Sequence, residues 1–127
     1  MNKIFFITGS TGFIGRNLMN DLSSKGIYSR IVLRKKKTFT PPKNWLIESI
    51  IYSKNIFNEN VDWWKKALIG IDTVIHLAWY VEHGKYLNSF LNLECSAGTL
   101  NLAIASANVG VNKFVGIGTC FEYDLSQ

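Results

Sequence analysis

The sequence is poor in the residues that build disulfide frameworks, metal clusters and membrane spans. Only two cysteines occur, Cys95 and Cys120. They match neither a metal-ligand spacing nor a C-x-x-C dithiol, so no metal site is expected and reduced, partly buried thiols are. The two prolines are adjacent, Pro41-Pro42, which marks a single break rather than a proline-rich linker. No apolar run approaches the roughly 20 residues that a membrane-spanning helix needs. Met1-Asn2-Lys3 leads straight into Ile4–Ile7, too short for the core of a secretory signal. Charged residues are also few, at 18% against 47% hydrophobic, a balance that excludes disordered and fibrous chains. With 127 residues, the expectation is one domain in a cytoplasmic protein with no membrane partner.

The charge that is present is lopsided. The net charge is +5, and much of the excess sits in Arg34-Lys35-Lys36-Lys37. A nucleic-acid patch explains one short basic run no better than a solvated loop or a phosphate site, and no nucleic-acid partner is expected.

Apolar runs and periodic segments alternate along the chain. Lys3–Thr8 reads as a buried strand, and Phe13–Lys25 as a helix stopped at Gly26. Tyr28–Leu33 reads as a second strand and Trp45–Ile51 as a weaker third. Val61–Leu68 follows as a short helix with Asn60 or Asp62 at its start. Thr73–Leu77 is a further strand and Lys113–Gly118 the last. Tyr86–Asn108 is the long helix, with Phe90, Leu93, Ala97, Leu100, Ile104 and Ala107 forming one apolar stripe. Strands alternating with helices predict a parallel sheet of βαβ units with both faces covered.

Between the first strand and the first helix lies Gly9-Ser10-Thr11-Gly12-Phe13-Ile14-Gly15. Gly9 permits the tight turn, Gly12 lets the backbone approach a pyrophosphate, and Gly15 lets the helix pack on the strand. The helix N-terminus then offers unpaired N–H groups to the phosphates. A glycine pattern alone is weak evidence, but here strand, turn and helix all fall where dinucleotide binding needs them. An α/β fold of Rossmann type, doubly wound and ending after its fifth strand, is therefore expected over residues 1–127.

The chain resembles the extended short-chain dehydrogenase/reductase family, the NAD(P)-dependent sugar-nucleotide epimerases, dehydratases and reductases. Thr8–Gly15 is similar to the family's TGxxGFIG turn and Ile75-His76-Leu77-Ala78-Trp79 to its HLAA segment. Gly98–Leu102 resembles its GTxNLL helix, and Phe114–Tyr123 its fifth strand. The resemblance implies that Gly9, Thr11, Gly12, Phe13, Ile14 and Gly15 hold the cofactor, together with Leu77, Ala78 and Trp79. It places Asn55-Ile56 on the Asp-Leu pair that contacts adenine, with an acceptor kept and a charge lost. It places Thr119 on the catalytic Ser/Thr that hydrogen-bonds the substrate oxygen. Cys95 falls where the family often has Asn, with Asn92 one helical turn earlier. His76 is expected to be a satisfied core histidine, and one of Trp63-Trp64 to be core.

Two departures bear on activity. The Asp-Glu pair that follows the catalytic Thr in family dehydratases is replaced by Cys120 and Phe121, which disfavours water elimination relative to reduction or epimerisation. The Tyr-x-x-x-Lys pair is absent: four residues after each tyrosine come Val32, Ile56, Gly84, Phe90 and Gln127. The resemblance puts that motif beyond Gln127. The expectation is the NAD(P)-binding part of a sugar-nucleotide reductase or epimerase, inactive by itself; the alternative is a non-catalytic dinucleotide-binding module. The second strand ends Ile31-Val32-Leu33-Arg34 with no carboxylate to receive the adenosine ribose. Arg34, and Arg16 after the turn, suit a 2′-phosphate, so NADP is expected ahead of NAD. The long helix and last strand are expected to present apolar surface and so to drive homo-oligomerisation.

Overall fold

The computed structural model describes residues 2–35, 39–79, 85 and 88–117. Five parallel strands, β1 (Ile4–Thr8), β2 (Tyr28–Leu33), β3 (Ile47–Tyr52), β4 (Thr73–His76) and β5 (Lys113–Gly116), form one sheet in the order β3-β2-β1-β4-β5. Among the described residues the helices are α1 (Phe13–Ser24), α2 (Val61–Ala67) and α3 (Leu91–Asn108), with a 3₁₀ turn at Ile56–Asn58. The order reverses between β1 and β4, and this is where ligands bind in open α/β sheets, beyond the carboxyl ends of the strands.

Successive strand residues point to opposite faces, and two core clusters show it. Ile7, Ile31 and Leu33 pack with Met19 and Leu22 of α1. Phe6, Val32 and Val74 pack on the other face with Trp64, Ala67 and Leu68 around α2 and with Leu102 and Ala105 of α3. Trp64 is the core member of its pair, meeting Phe6 edge-on at 6.0 Å. The sheet is thus covered on both faces at β1 and β2, as their continuous apolar runs require, whereas β5 belongs to neither cluster and is largely exposed.

Local chemistry sets the element ends. Gly26 takes φ +78° after α1, and its N–H reaches Ser23 O while that of Ile27 reaches Leu22 O, both at 3.0 Å. Those paired bonds close the helix. Asn60, rather than Asp62, caps α2 by accepting the Trp63 N–H at 2.8 Å. On the sheet edge Arg30 forms a two-pronged pair with Glu48, both bonds at 2.9 Å, and donates to Ala67 O and Ile69 O at the end of α2. Arg30 first, through its hydrogen bonds, holds the Glu48 carboxyl below the usual range.

Several expected boundaries shift. Trp45 lies outside β3; it is buried against α1 with its Nε1 donating to Asn20 Oδ1 at 2.8 Å. The connection between β2 and β3 therefore covers this face with Phe39 and Trp45 rings, 5.9 Å apart, instead of a helix. Lys3, Lys25, Leu68 and Leu77 flank their elements rather than belonging to them. Helix α3 begins at Leu91; Tyr86 and Gly118 lie outside the described residues. Its packing face, which the apolar periodicity leaves open, is set by small residues. Cys95, Gly98, Leu102, Ala105 and Ser106 are buried, whereas the stripe of Phe90, Leu93, Ala97, Leu100, Ile104 and Ala107 faces outward. The helix needs small residues toward the sheet: a Cβ on Gly98 would lie 2.5 Å from Phe57 Cα.

Candidate functional site: a cleft at the strand ends

A cleft of about 500 Å³ opens at the carboxyl ends of β1, β2, β3 and β4. One wall is the glycine turn. Gly9 has φ +74°, a left-handed conformation that favours glycine, and a Cβ there would come within 2.9 Å of Ala78 N. Gly15 is buried beneath the turn, where a Cβ would sit 2.0 Å from Gly9 O. Gly12 has room behind it, 3.6 Å from Gly9 O. Helix α1 starts at this point with Gly12 as its N-cap, no side-chain cap and no acidic residue in its first turn. The first-turn N–H groups are therefore left to water or to an anion, and the helix dipole favours negative charge there.

Of the residues singled out in the sequence, Gly9, Thr11, Gly12, Arg34, Asn55, Ile56, Leu77, Ala78 and Trp79 line this one cleft. It also recruits Ser10, Arg16, Val32, Leu33, Phe39, Ser53 and Phe57. Phe13 and Ile14 are not among its lining residues: their side chains are 85% and 58% exposed on the first turn of α1. Only their backbone amides belong to the open helix end. Thr119, Cys120 and Phe121 lie outside the described residues, as do Lys36 and Lys37.

Three polar groups acquire definite settings. Arg16 Nε donates to Thr11 O at 2.9 Å, which pins the guanidinium beside the turn. Arg34 is exposed at the end of β2, and among the described residues no ion pair engages it. Asn55 Oδ1 accepts the Phe57 N–H at 3.0 Å, so its acceptor already serves the 3₁₀ turn. Trp79 is held edge-on to Phe57 at 6.4 Å and donates through Nε1 to Asn92 Oδ1 at 2.7 Å.

Behind the cleft, His76 is buried and bonded at both nitrogens, to Thr8 Oγ1 at 2.7 Å and Thr99 Oγ1 at 2.8 Å. Burial lowers its pKa to about 4. It is the satisfied core histidine expected of it. Among the described residues no His, Cys, Asp and Glu cluster could hold a metal ion, and no helix is long and apolar enough to cross a membrane.

The comparisons with known proteins agree with this architecture. Residues 5–127 match the NAD dependent epimerase/dehydratase family. An epimerase family protein of Staphylococcus haemolyticus is 31% identical over 91 residues, which is 72% of this chain and 27% of that protein. The UDP-N-acetylglucosamine 4-epimerase of Bacillus cereus superposes with a TM-score of 0.70 at 18% identity, over 98% of this chain and 38% of its own. MoeE5 in complex with UDP-glucose and NAD gives 0.70 at 24% identity, over 94% of this chain and 38% of its own. The chain thus spans about a quarter of that curated relative and well under half of either solved protein. On its sequence match, supported by strand order and glycine turn, the chain belongs to the NAD dependent epimerase/dehydratase family.

Proposed function

We propose that the cleft binds NAD(P), and that the chain is the dinucleotide-binding part of a sugar-nucleotide reductase or epimerase. The observation that carries this reading is the open N-terminus of α1, uncapped and free of acid, at the mouth of a glycine turn pressed against Ala78. That arrangement holds a pyrophosphate with backbone N–H groups and no side-chain cation. The NAD and UDP-glucose bound to MoeE5 support the ligand class.

Within this reading the cofactor is NADP. Among the described residues no carboxylate lines the cleft, and Arg16 and Arg34 both do, a pairing that suits a 2′-phosphate. Thr119 takes the role of hydrogen-bonding the substrate oxygen, by family resemblance. Lacking Tyr-x-x-x-Lys, the chain by itself does not turn over, and a nucleotide sugar is engaged only with further chain present. The second reading is a non-catalytic dinucleotide-binding module. A Tyr-x-x-x-Lys after Gln127 in the parent reading frame supports the enzyme; a stop codon there supports the module. The outward apolar face of α3 supports a homo-oligomer.

Calorimetry and thermal shift with NADP, NAD and ADP-ribose test the binding claim. Heat and stabilisation by each are expected. A folded sample showing neither at millimolar ligand overturns it.

A further inference from the structure

We infer that His76 is a positioning residue of the cleft, acting through Thr8 as a neutral imidazole with its proton on Nε2. The inference rests on the dinucleotide reading of the cleft and extends it to a side chain that does not line it.

Hydrogen-bond accounting leads there. A threonine hydroxyl has one proton to donate and two lone pairs to accept with. Thr8 Oγ1 accepts the backbone N–H of Leu77 at 3.0 Å, which the Thr8 carbonyl shares at 3.3 Å, and that of Ala78 at 3.1 Å. Both lone pairs are then engaged, so the hydroxyl proton goes to His76 Nδ1, 2.7 Å away. Nδ1 is an acceptor, the ring proton sits on Nε2, and Nε2 donates to Thr99 Oγ1 at 2.8 Å. Thr8 is fully buried and His76 nearly so, so no solvent replaces a lost partner.

The two branches differ in what they reach. The Nε2 branch ties β4 to α3. The Nδ1 branch sets the Thr8 hydroxyl, which holds the amides of Leu77 and Ala78, both in the cleft wall. The Ala78 amide lies directly against Gly9, where a Cβ would meet it at 2.9 Å. Removing the Nδ1 acceptor leaves the Thr8 proton unpaired in a buried space. The hydroxyl regains a partner only by turning and giving up an amide, and the gap between turn and β4 end then changes. A residue serving only the core would make the two branches equivalent for ligand.

The test separates them. ¹⁵N correlation spectra of the wild-type imidazole are expected to show Nε2 protonated and Nδ1 bare; a proton on Nδ1 overturns the inference. His76→Asn keeps an acceptor near Nδ1, and His76→Gln keeps a donor near Nε2. With folding checked by circular dichroism, His76→Asn is expected to bind ADP-ribose within about threefold of wild type and His76→Gln about tenfold more weakly, the cost of one unmet buried donor. Equal losses, or the reverse ranking, overturn it. Absence of binding by the wild type overturns the dinucleotide reading instead, and the tautomer result still decides the proton arrangement.

Discussion

Replacing Gly15 by Ala places a methyl group 2.0 Å from Gly9 O, 2.7 Å from Ser10 Cα and 2.8 Å from Gly9 C. Ordinary contact begins near 3.4 Å, so α1 or the turn must retreat by more than 1 Å. All three neighbours are backbone, and no side chain can swing aside. Retreat of α1 draws Met19 and Leu22 away from Ile7 and Ile31, the core of that face. Overpacking of this kind costs about 1–3 kcal/mol, offset in part by the better helix propensity of Ala, worth up to about 1 kcal/mol. A net loss near 1 kcal/mol lowers Tm by roughly 5 °C for a domain of this size. Gly12→Ala is the matched control: its methyl meets Gly9 O at 3.6 Å and leaves the fold intact, while standing where the phosphates approach. Thermal scans with and without NADP read both effects. Gly15→Ala is expected to melt lower and to lose the NADP shift, Gly12→Ala to melt as wild type and lose the shift alone. A Gly15→Ala protein as stable as wild type refutes the packing argument.

Acid should weaken the fold through His76. Its folded pKa is about 4 against 6.5 unperturbed, so the unfolded chain binds more protons between those values and stability falls as pH drops through that window, by roughly 3 kcal/mol in full. Denaturation curves across the window should show this slope reduced in His76→Gln; an unchanged slope argues against the assignment. Leu93 and Leu100, 69% and 60% exposed on α3, should make the chain self-associate, and Leu100→Glu should reduce it in sedimentation velocity. A wild-type monomer at tens of micromolar contradicts this. Arg34→Ala should narrow the NADP-to-NAD affinity ratio by about tenfold, the worth of one charge-assisted bond; an unchanged ratio removes Arg34 as the selector.

What could be read in the sequence follows from how each feature is encoded. The glycine turn was legible because Gly9 and Gly15 meet steric demands that only glycine satisfies, and those demands recur at fixed spacing. The strands were legible from short β-branched runs, and Gly26 from its place after the last turn of α1. Helix α3 was readable as a helix but not in its orientation. Periodicity reports an apolar stripe without saying which side meets the sheet, and the close approach of Gly98 to Phe57 selects the small-residue face. Trp45 has the composition of a strand residue, yet it serves the core better beside Asn20. Asn55 was legible as an acceptor at the strand end, but not its bond to the Phe57 N–H, which starts the 3₁₀ turn. Phe39, Ser53 and Phe57 entered the cleft unannounced, because the wall is assembled from strand ends and loops far apart in sequence. The Thr8–His76 bond spans 68 positions, beyond the reach of any local pattern.

The most direct test of the account is a ¹H–¹⁵N titration of the chain with NADP, following the backbone amides. The largest shifts are expected at Thr11, Gly12 and the first turn of α1, with Ala78 and Trp79 next and the Arg34 amide moving more with NADP than with NAD. Shifts confined to the neighbouring groove of Asn20, Pro42 and Trp45, or none in a folded sample, would contradict dinucleotide binding at the glycine turn.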